Sequence, residues 1–203
     1  MSQGSFMPYE SCQDVAENFW QELQQVDPEE VVARTGAVYE QGRYCLPFLN
    51  RTLVIDPARI RGQINGAEGD PGFRVCLTTL LYLLYLDPAR LGPATSPLEL
   101  TGGATFFRGH HGIPHLPVEE RFGSDAEAFR AAGARLGAEP LAAGDAALAF
   151  SVFPGLLVEV ILWSADEEFP AQVSFTVPSH LEEFWHLDAI WGLLQVVVAE
   201  LLK

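Results

Sequence analysis

Alternation of apolar and polar positions is clearest in the last third of the chain, where it predicts a β-hairpin. Apolar runs at 147–153 and 156–163 flank Pro154-Gly155, a dipeptide typical of turns. Residues 172–177 offer a third strand. Shorter runs of β-branched and aromatic residues predict an antiparallel meander, at 37–40, 44–48 and 52–56.

Helical periodicity is strongest near both ends of the chain and in its middle. Ser11 is a good N-cap for a first helix that has Val15 and Phe19 on one face. Asp27-Pro28 opens a second helix, which Gly36 ends. Residues 72–86 are apolar nearly all round, as expected of a central core helix, and 189–202 form the last helix.

These elements predict an α+β fold with an antiparallel sheet, a buried central helix and packed terminal helices. The length suits a single domain over residues 1–203, with an N-terminal helical part at 1–36. Ser124-Asp125-Ala126-Glu127 is a capping box that opens one further, alanine-rich helix, and Asp188 could cap the last helix. A long irregular segment, rich in proline and glycine, is predicted at 87–122.

Charge narrows the classes of partner. The chain has 12 basic and 27 acidic side chains, a formal net charge of −15. Such a surface repels phosphate backbones and anionic membranes, so nucleic acid and membrane partners are not expected. Both apolar helical runs are shorter than the roughly 20 residues that span a bilayer. Residues 1–10 lack the pattern of a secretion signal, so a cytoplasmic location is expected.

Cysteine usage also fits a reducing compartment such as the cytoplasm. Cys12, Cys45 and Cys76 are widely spaced and form no C-x-x-C pair. This pattern is neither a disulfide framework nor a metal-binding motif. The three residues are therefore expected to be buried, reduced thiols.

An acidic corner, comprising Asp166, Glu167, Glu168 and Phe169, follows the predicted hairpin and is our first candidate ligand-binding site. Its carboxylates could bind a divalent cation or act as an acid/base pair. Side chains alternate along an extended strand, so not all three would converge, and a solvated turn is the alternative. Arg108 could clamp a carboxylate of the ligand, although a structural ion pair is the alternative for this residue.

Three histidines of the irregular segment, His110, His111 and His115, are the candidate metal ligands, because neutral imidazole commonly binds metals. His111 and His115 are four residues apart, a spacing that matters on a helix. Nearby glycines and Pro114 make a helix implausible, so loop histidines without a metal are the alternative.

Aromatic residues of the first and last helices could line a cofactor or partner groove: Phe19, Trp20, Phe184, Trp185 and Trp191. Aromatics at helical spacing more often belong to the core. Motifs for a serine nucleophile, a Walker A loop or a dinucleotide are absent. Lys203 is the only lysine, which argues against ATP hydrolysis and Schiff-base chemistry.

The segment from Phe153-Pro154-Gly155 through Leu162-Trp163 to the acidic corner with Pro170-Ala171 resembles a bacterial family, domain of unknown function 3786, found largely in anaerobes. Weaker similarity covers most of the chain. The resemblance implies at most accessory work in anaerobic corrinoid, tetrapyrrole or one-carbon metabolism, and transfers no catalytic residue. Some members carry a cysteine-rich iron–sulfur module, which this chain lacks.

We therefore expect a non-catalytic binding or accessory module, for a cofactor or a partner protein, with a cleft near the acidic corner. The identity of the cofactor is unknown. One alternative is a metal-dependent enzyme that combines the acidic corner with the loop histidines. Another is a homodimer, which would require an exposed apolar face on residues 189–202.

Overall fold

The computed structural model describes residues 9–203, and its α+β fold agrees with the prediction. The helices are α1 Glu17–Gln25, α2 Pro28–Thr35, α3 Phe73–Tyr85, α4 Gly103–Phe106, α5 Leu116–Phe122, α6 Ala126–Arg135 and α7 Leu187–Leu201. The strands are β1 Val38–Glu40, β2 Arg43–Phe48, β3 Arg51–Asp56, β4 Arg61–Ile64, β5 Ala94–Thr95, β6 Glu139–Leu141, β7 Ala146–Phe153, β8 Leu156–Trp163 and β9 Gln172–Pro178.

The strands form two antiparallel sheets rather than one. The first is a meander in the order β1-β2-β3-β4, and the second has the order β5-β9-β8-β7-β6. The sheets meet where the Leu49 amide donates to the Val152 carbonyl oxygen at 3.2 Å. The rings of Phe48 and Phe153 pack across this junction, 5.8 Å apart. The buried residues of both sheets and the helices form one continuous core.

The predicted hairpin is β7–β8, and its burial follows the sequence pattern. In β8 the even-numbered residues from Leu156 to Leu162 are buried, whereas Leu157 and Trp163 are exposed. Strand β7 is buried on both faces except at Ser151, because helices and the first sheet cover it. This explains why β8 alternates in sequence while β7 is an almost continuous apolar run.

Helix α3 is the central helix, and it packs against α1, α2 and α7. Arg34 of α2 caps its C-terminal end by donating to the carbonyl oxygens of Leu83 at 2.6 Å, Leu84 at 3.2 Å and Leu86. These carbonyls lie where a helix leaves its acceptors without partners. Desolvation by burial lowers the pKa of the Arg34 guanidinium.

The hydroxyl of Tyr82, in the middle of α3, links three elements. It lies 2.9 Å from the Thr35 carbonyl oxygen at the end of α2 and 2.8 Å from that of Pro154 in the hairpin turn. Desolvation raises the pKa of this buried phenol. The hydroxyl therefore remains a donor over the physiological pH range.

Helix α7 packs against α3 and buries its apolar side chains within the chain, and Leu202 just past its end is exposed. The broad exposed apolar face that a dimer through this helix would need is therefore missing from residues 187–202. None of the helices within residues 9–203 is long and apolar enough to cross a membrane.

The first helix was predicted to begin at Ser11, but α1 begins only at Glu17. Asp14 turns back and accepts the amides of Ser11 at 2.7 Å and Glu10 at 2.9 Å. This closes a single 3-10 turn at Cys12–Asp14, after which Val15 is extended.

The segment at 87–122 is less irregular than predicted, since it contains α4, α5, β5 and several 3-10 turns. Asp87 and Ser96 each cap one such turn, with proline as its first residue. Cap assignments elsewhere were also partly wrong. Asp125, not Ser124, caps α6, and α7 begins after His186, ahead of Asp188.

Candidate ligand-binding cleft

The acidic corner forms a tight exposed turn between β8 and β9. The Asp166 carboxylate accepts the amides of Glu168 at 2.8 Å and Phe169 at 2.7 Å. These two backbone hydrogen bonds lower the pKa of Asp166. The carboxylate is thus engaged in shaping the turn, and Glu167 and Glu168 are exposed. Ligand binding here remains a prediction, and the corner lines neither of the two clefts described below.

The other predicted site residues lie apart from any cluster of metal ligands. Arg108, His110 and His115 are exposed. The ring of His111 stacks on Phe106 at 4.6 Å and meets Trp191 edge-on at 5.6 Å. Trp191 also donates its indole N–H to the Gly112 carbonyl oxygen at 3.0 Å. The loop is therefore docked on α7 through aromatic contacts.

Within residues 9–203, one group of three metal-binding side chains has its ligand atoms within 4.8 Å of one another, and it consists of Cys12, Asp70 and Cys76. It includes none of the loop histidines. The two sulfurs of this group are joined in a disulfide, whereas Cys45 is free and half-buried. The prediction of three reduced thiols was therefore wrong for Cys12 and Cys76. Their pairing depends on the fold, since 64 residues separate them.

A cleft of about 580 Å³ lies among the N-terminal segment, α3 and the start of α7. Three stretches of chain supply its walls. We call the first the N-terminal wall: Tyr9, Asp14, Ala16 and Phe19. The α3 wall consists of Phe73, Leu77, Leu81 and Tyr85. The α7 wall consists of Phe184, Trp185, His186, Asp188 and Ala189. We refer to the whole as the aromatic cleft.

Aromatic contacts fasten the N-terminal wall to the α3 wall at both ends. The rings of Tyr9 and Phe73 lie 4.8 Å apart, and Phe19 meets Tyr85 edge-on at 6.4 Å. The Tyr85 hydroxyl donates to the Glu22 carboxylate of α1 at 2.6 Å. Desolvation, together with this carboxylate, raises the pKa of Tyr85 to about 12.

The α7 wall combines a fixed surface ring with a buried indole. The Arg90 guanidinium covers the Phe184 ring at 4.8 Å and pairs with Glu183 at 3.3 Å. Trp185 is 2 % exposed, and its indole N–H has no hydrogen-bond partner among the described residues. A buried donor without an acceptor is costly.

Charge in the aromatic cleft is negative. Asp14 and Asp188 are its acidic groups, and the described lining residues include neither lysine nor arginine. Backbone amides, chiefly that of Ser11, lower the pKa of Asp14, so this carboxylate is ionised at neutral pH. The cleft therefore favours neutral or cationic ligands over anions.

A second cleft of about 520 Å³ shares Tyr9 and Phe73 with the first. Arg74, Glu200 and Lys203 line it, and Glu200 pairs with Lys203 and with Arg51, both at 2.6 Å. This cleft therefore carries charges of both signs, unlike its neighbour.

Sequence reasoning identified part of the aromatic cleft. Of the five aromatics proposed for a groove, Phe19, Phe184 and Trp185 line it. Trp20 is buried in the core, as the alternative held, and Trp191 lies in the second cleft. The contributions of Tyr9, Phe73 and Tyr85 were missed, because nothing in the sequence distinguishes them from core aromatics.

Comparison with known proteins gives one match. Residues 27–200 match the family described as Domain of unknown function (DUF3786). Neither the curated proteins nor the solved structures gave a significant match.

Proposed function

This chain belongs to the DUF3786 family, and we propose that it is a non-catalytic module that binds a small apolar or aromatic molecule in the aromatic cleft. The observation that carries this proposal is the composition of the cleft. A volume of about 580 Å³ with mainly apolar and aromatic walls, and few polar groups, is typical of small-molecule sites.

Shape and charge narrow the class of ligand. Phe19, Phe73 and Tyr85 offer ring faces and edges, against which a flat conjugated ring packs well. Asp14 and Asp188 favour a neutral or amine-bearing ligand and disfavour phosphates and carboxylates. A role in corrinoid, tetrapyrrole or one-carbon metabolism, in the cytoplasm of an anaerobe, is part of this proposal and rests on the family resemblance alone.

The alternatives have less support. A metal-dependent enzyme would need carboxylate and imidazole groups around one ion, whereas Asp166 is engaged with its own turn and His111 with aromatic rings. A homodimer through the last helix would need apolar side chains that α7 buries internally. A partner protein could insert one apolar side chain into the cleft, and such an occupant would share the chemistry of the small molecule.

A dye titration tests the site. Nile red, a neutral apolar fluorophore, is expected to bind the wild-type protein with increased fluorescence, and an anionic naphthalene sulfonate to bind more weakly. Ala16→Trp places an indole in the cleft from an exposed position. We expect it to weaken Nile red binding by about tenfold or more, the effect of about 1.4 kcal/mol.

Ala134→Trp is the matched control, because Ala134 is an exposed alanine on α6, outside the cleft. It should leave the dissociation constant unchanged. Equal binding by wild type and Ala16→Trp would place the dye elsewhere and contradict the proposal. Native mass spectrometry of anaerobically purified protein, with and without chelator, would then identify any molecule that copurifies.

A further inference from the structure

We propose that the Cys12–Cys76 disulfide is a redox switch for the aromatic cleft, closed when oxidised and released when reduced. This inference rests on the proposed ligand-binding function and adds its regulation. Its starting point is the location of the two sulfurs, which join the N-terminal wall to the α3 wall.

Both cysteines lie within two residues of a cleft-lining residue. Cys12 lies two residues before Asp14 in the same 3-10 turn, and Cys76 directly precedes Leu77 on α3. Both cysteines are 0 % exposed. The covalent bond therefore fixes the distance between two walls of the cleft at a point just behind their surfaces.

The fold makes room for the sulfurs at a specific position. Gly62 of β4 faces them, and a Cβ atom at this residue would lie 2.8 Å from the Cys76 sulfur and 2.9 Å from the Cys12 sulfur. Any larger residue would push the pair aside. The two Cα atoms are 5.2 Å apart, within the range of disulfides generally.

Noncovalent contacts also join the two walls beside the disulfide, since Tyr9 packs on Phe73 at 4.8 Å and Val15 is buried. The Cys12 amide donates to the Asp70 carboxylate at 3.0 Å, and the Phe73 amide to the Glu10 carbonyl oxygen at 3.2 Å. Asp70, Glu10 and Gln13 are exposed, so the bond lies one layer of residues below solvent. Once the covalent tie is removed, the three-residue 3-10 turn depends on these noncovalent contacts alone, and we expect it to open more often than in the oxidised protein.

The redox step is a thiol–disulfide exchange with a dithiol reductant. The dithiol passes two electrons and two protons to the pair, which becomes Cys12–SH and Cys76–SH, while the dithiol becomes a disulfide. The N-terminal wall then loses its covalent attachment to α3. Residues 9–16 are then held only by noncovalent contacts such as the Tyr9–Phe73 ring contact, whereas α1 stays docked through Trp20 and Leu23.

The test compares oxidised and reduced full-length protein. Hydrogen–deuterium exchange should rise on reduction in peptides that cover residues 9–16, and Nile red should bind about fivefold more weakly or worse. Cys12→Ser and Cys76→Ser should behave as the reduced protein without reductant. Cys45→Ser is the matched control and should respond to reduction as wild type does.

Each other outcome has a defined meaning. Unchanged Nile red affinity on reduction overturns the switch but leaves the ligand site standing. If the dye binds neither form, the proposed function fails, and exchange alone then decides whether reduction releases the wall. One-to-one binding of Zn²⁺ by the reduced protein, with exchange still slow, overturns the switch in favour of a zinc site at Cys12, Cys76 and Asp70.

Discussion

The acidic corner and the aromatic cleft show how differently a turn and a cleft can be recognised in a sequence. The corner consists of adjacent charged residues, so it is conspicuous in the sequence, yet Asp166 bonds to its own turn and its neighbours face solvent. The cleft draws on residues near positions 9–19, 73–85 and 184–189, each of which could be core. The conspicuous charges thus belong to a turn, whereas apolar residues from distant segments line the cleft.

Substitution of one tryptophan in each region should give the largest difference in the free energy of unfolding. Trp185 of the cleft is buried, so Trp185→Ala should lower the free energy of unfolding by about 3–5 kcal/mol. Trp163, just before the acidic corner, is 42 % exposed, and Trp163→Ala should cost no more than about 1 kcal/mol. Urea denaturation measures both. Similar losses would remove the energetic distinction between the regions.

Tyr85, which lines the cleft, should contribute less to the free energy of unfolding than Trp185, and its contribution should be lost at alkaline pH. Tyr85→Phe removes the hydrogen bond to Glu22 and should cost about 0.5–1.5 kcal/mol at neutral pH. The folded pKa of Tyr85 is raised to about 12, against about 10 when unfolded. Its contribution is therefore complete below pH 10 and is lost as pH rises toward 12.

Ultraviolet difference titration of wild type and Tyr85→Phe reports this ionisation directly. The variant should lack one phenol that titrates late, and its stability should fall less steeply in alkali. An unaltered titration curve would mean that another tyrosine accounts for the late step. Tyr44, buried at 0 % exposure, also has a pKa raised to about 12 by desolvation, so Tyr44→Phe is the necessary comparison.

Substitutions in the acidic corner should change stability least of all, and the change should show at acidic pH. The pKa of Asp166 is lowered by the amides of Glu168 and Phe169, so its stabilisation is present above the unfolded pKa of about 3.9. That contribution is lost as pH falls through the lower folded pKa. Asp166→Asn should make acid unfolding slightly less steep, whereas Glu167→Gln should not, as thermal melts between neutral and acidic pH would show.

The sequence specified much of the fold because local rules decide it. Alternation predicted β8, and Asp27-Pro28 with Gly36 bounded α2 correctly, since Asp27 accepts the Glu29 amide and Gly36 has φ of 69°. The same Asp-Pro signal at Asp87 begins a 3-10 turn within the segment at 87–122, which was predicted to be irregular. Short capped turns of this kind produce no periodicity, so pattern counting takes them for irregular chain.

Two features of the site could not have been read from the sequence. Cys12 and Cys76 resemble unrelated thiols until the fold brings their Cα atoms to 5.2 Å. The break at Val15 depends on Asp14 capping its own turn, in competition with a continuous helix. Both depend on contacts whose energies can be compared with those of the alternatives only in the folded structure.

The position of the Tyr82 hydroxyl has a kinetic consequence. Its two acceptors, the carbonyl oxygens of Thr35 and Pro154, belong to segments 47 and 72 residues away in the chain. Such distant partners meet only after the intervening loops have closed, which is the slow part of folding. We expect this contact to form after the transition state, so Tyr82→Phe should accelerate unfolding while leaving the refolding rate nearly unchanged.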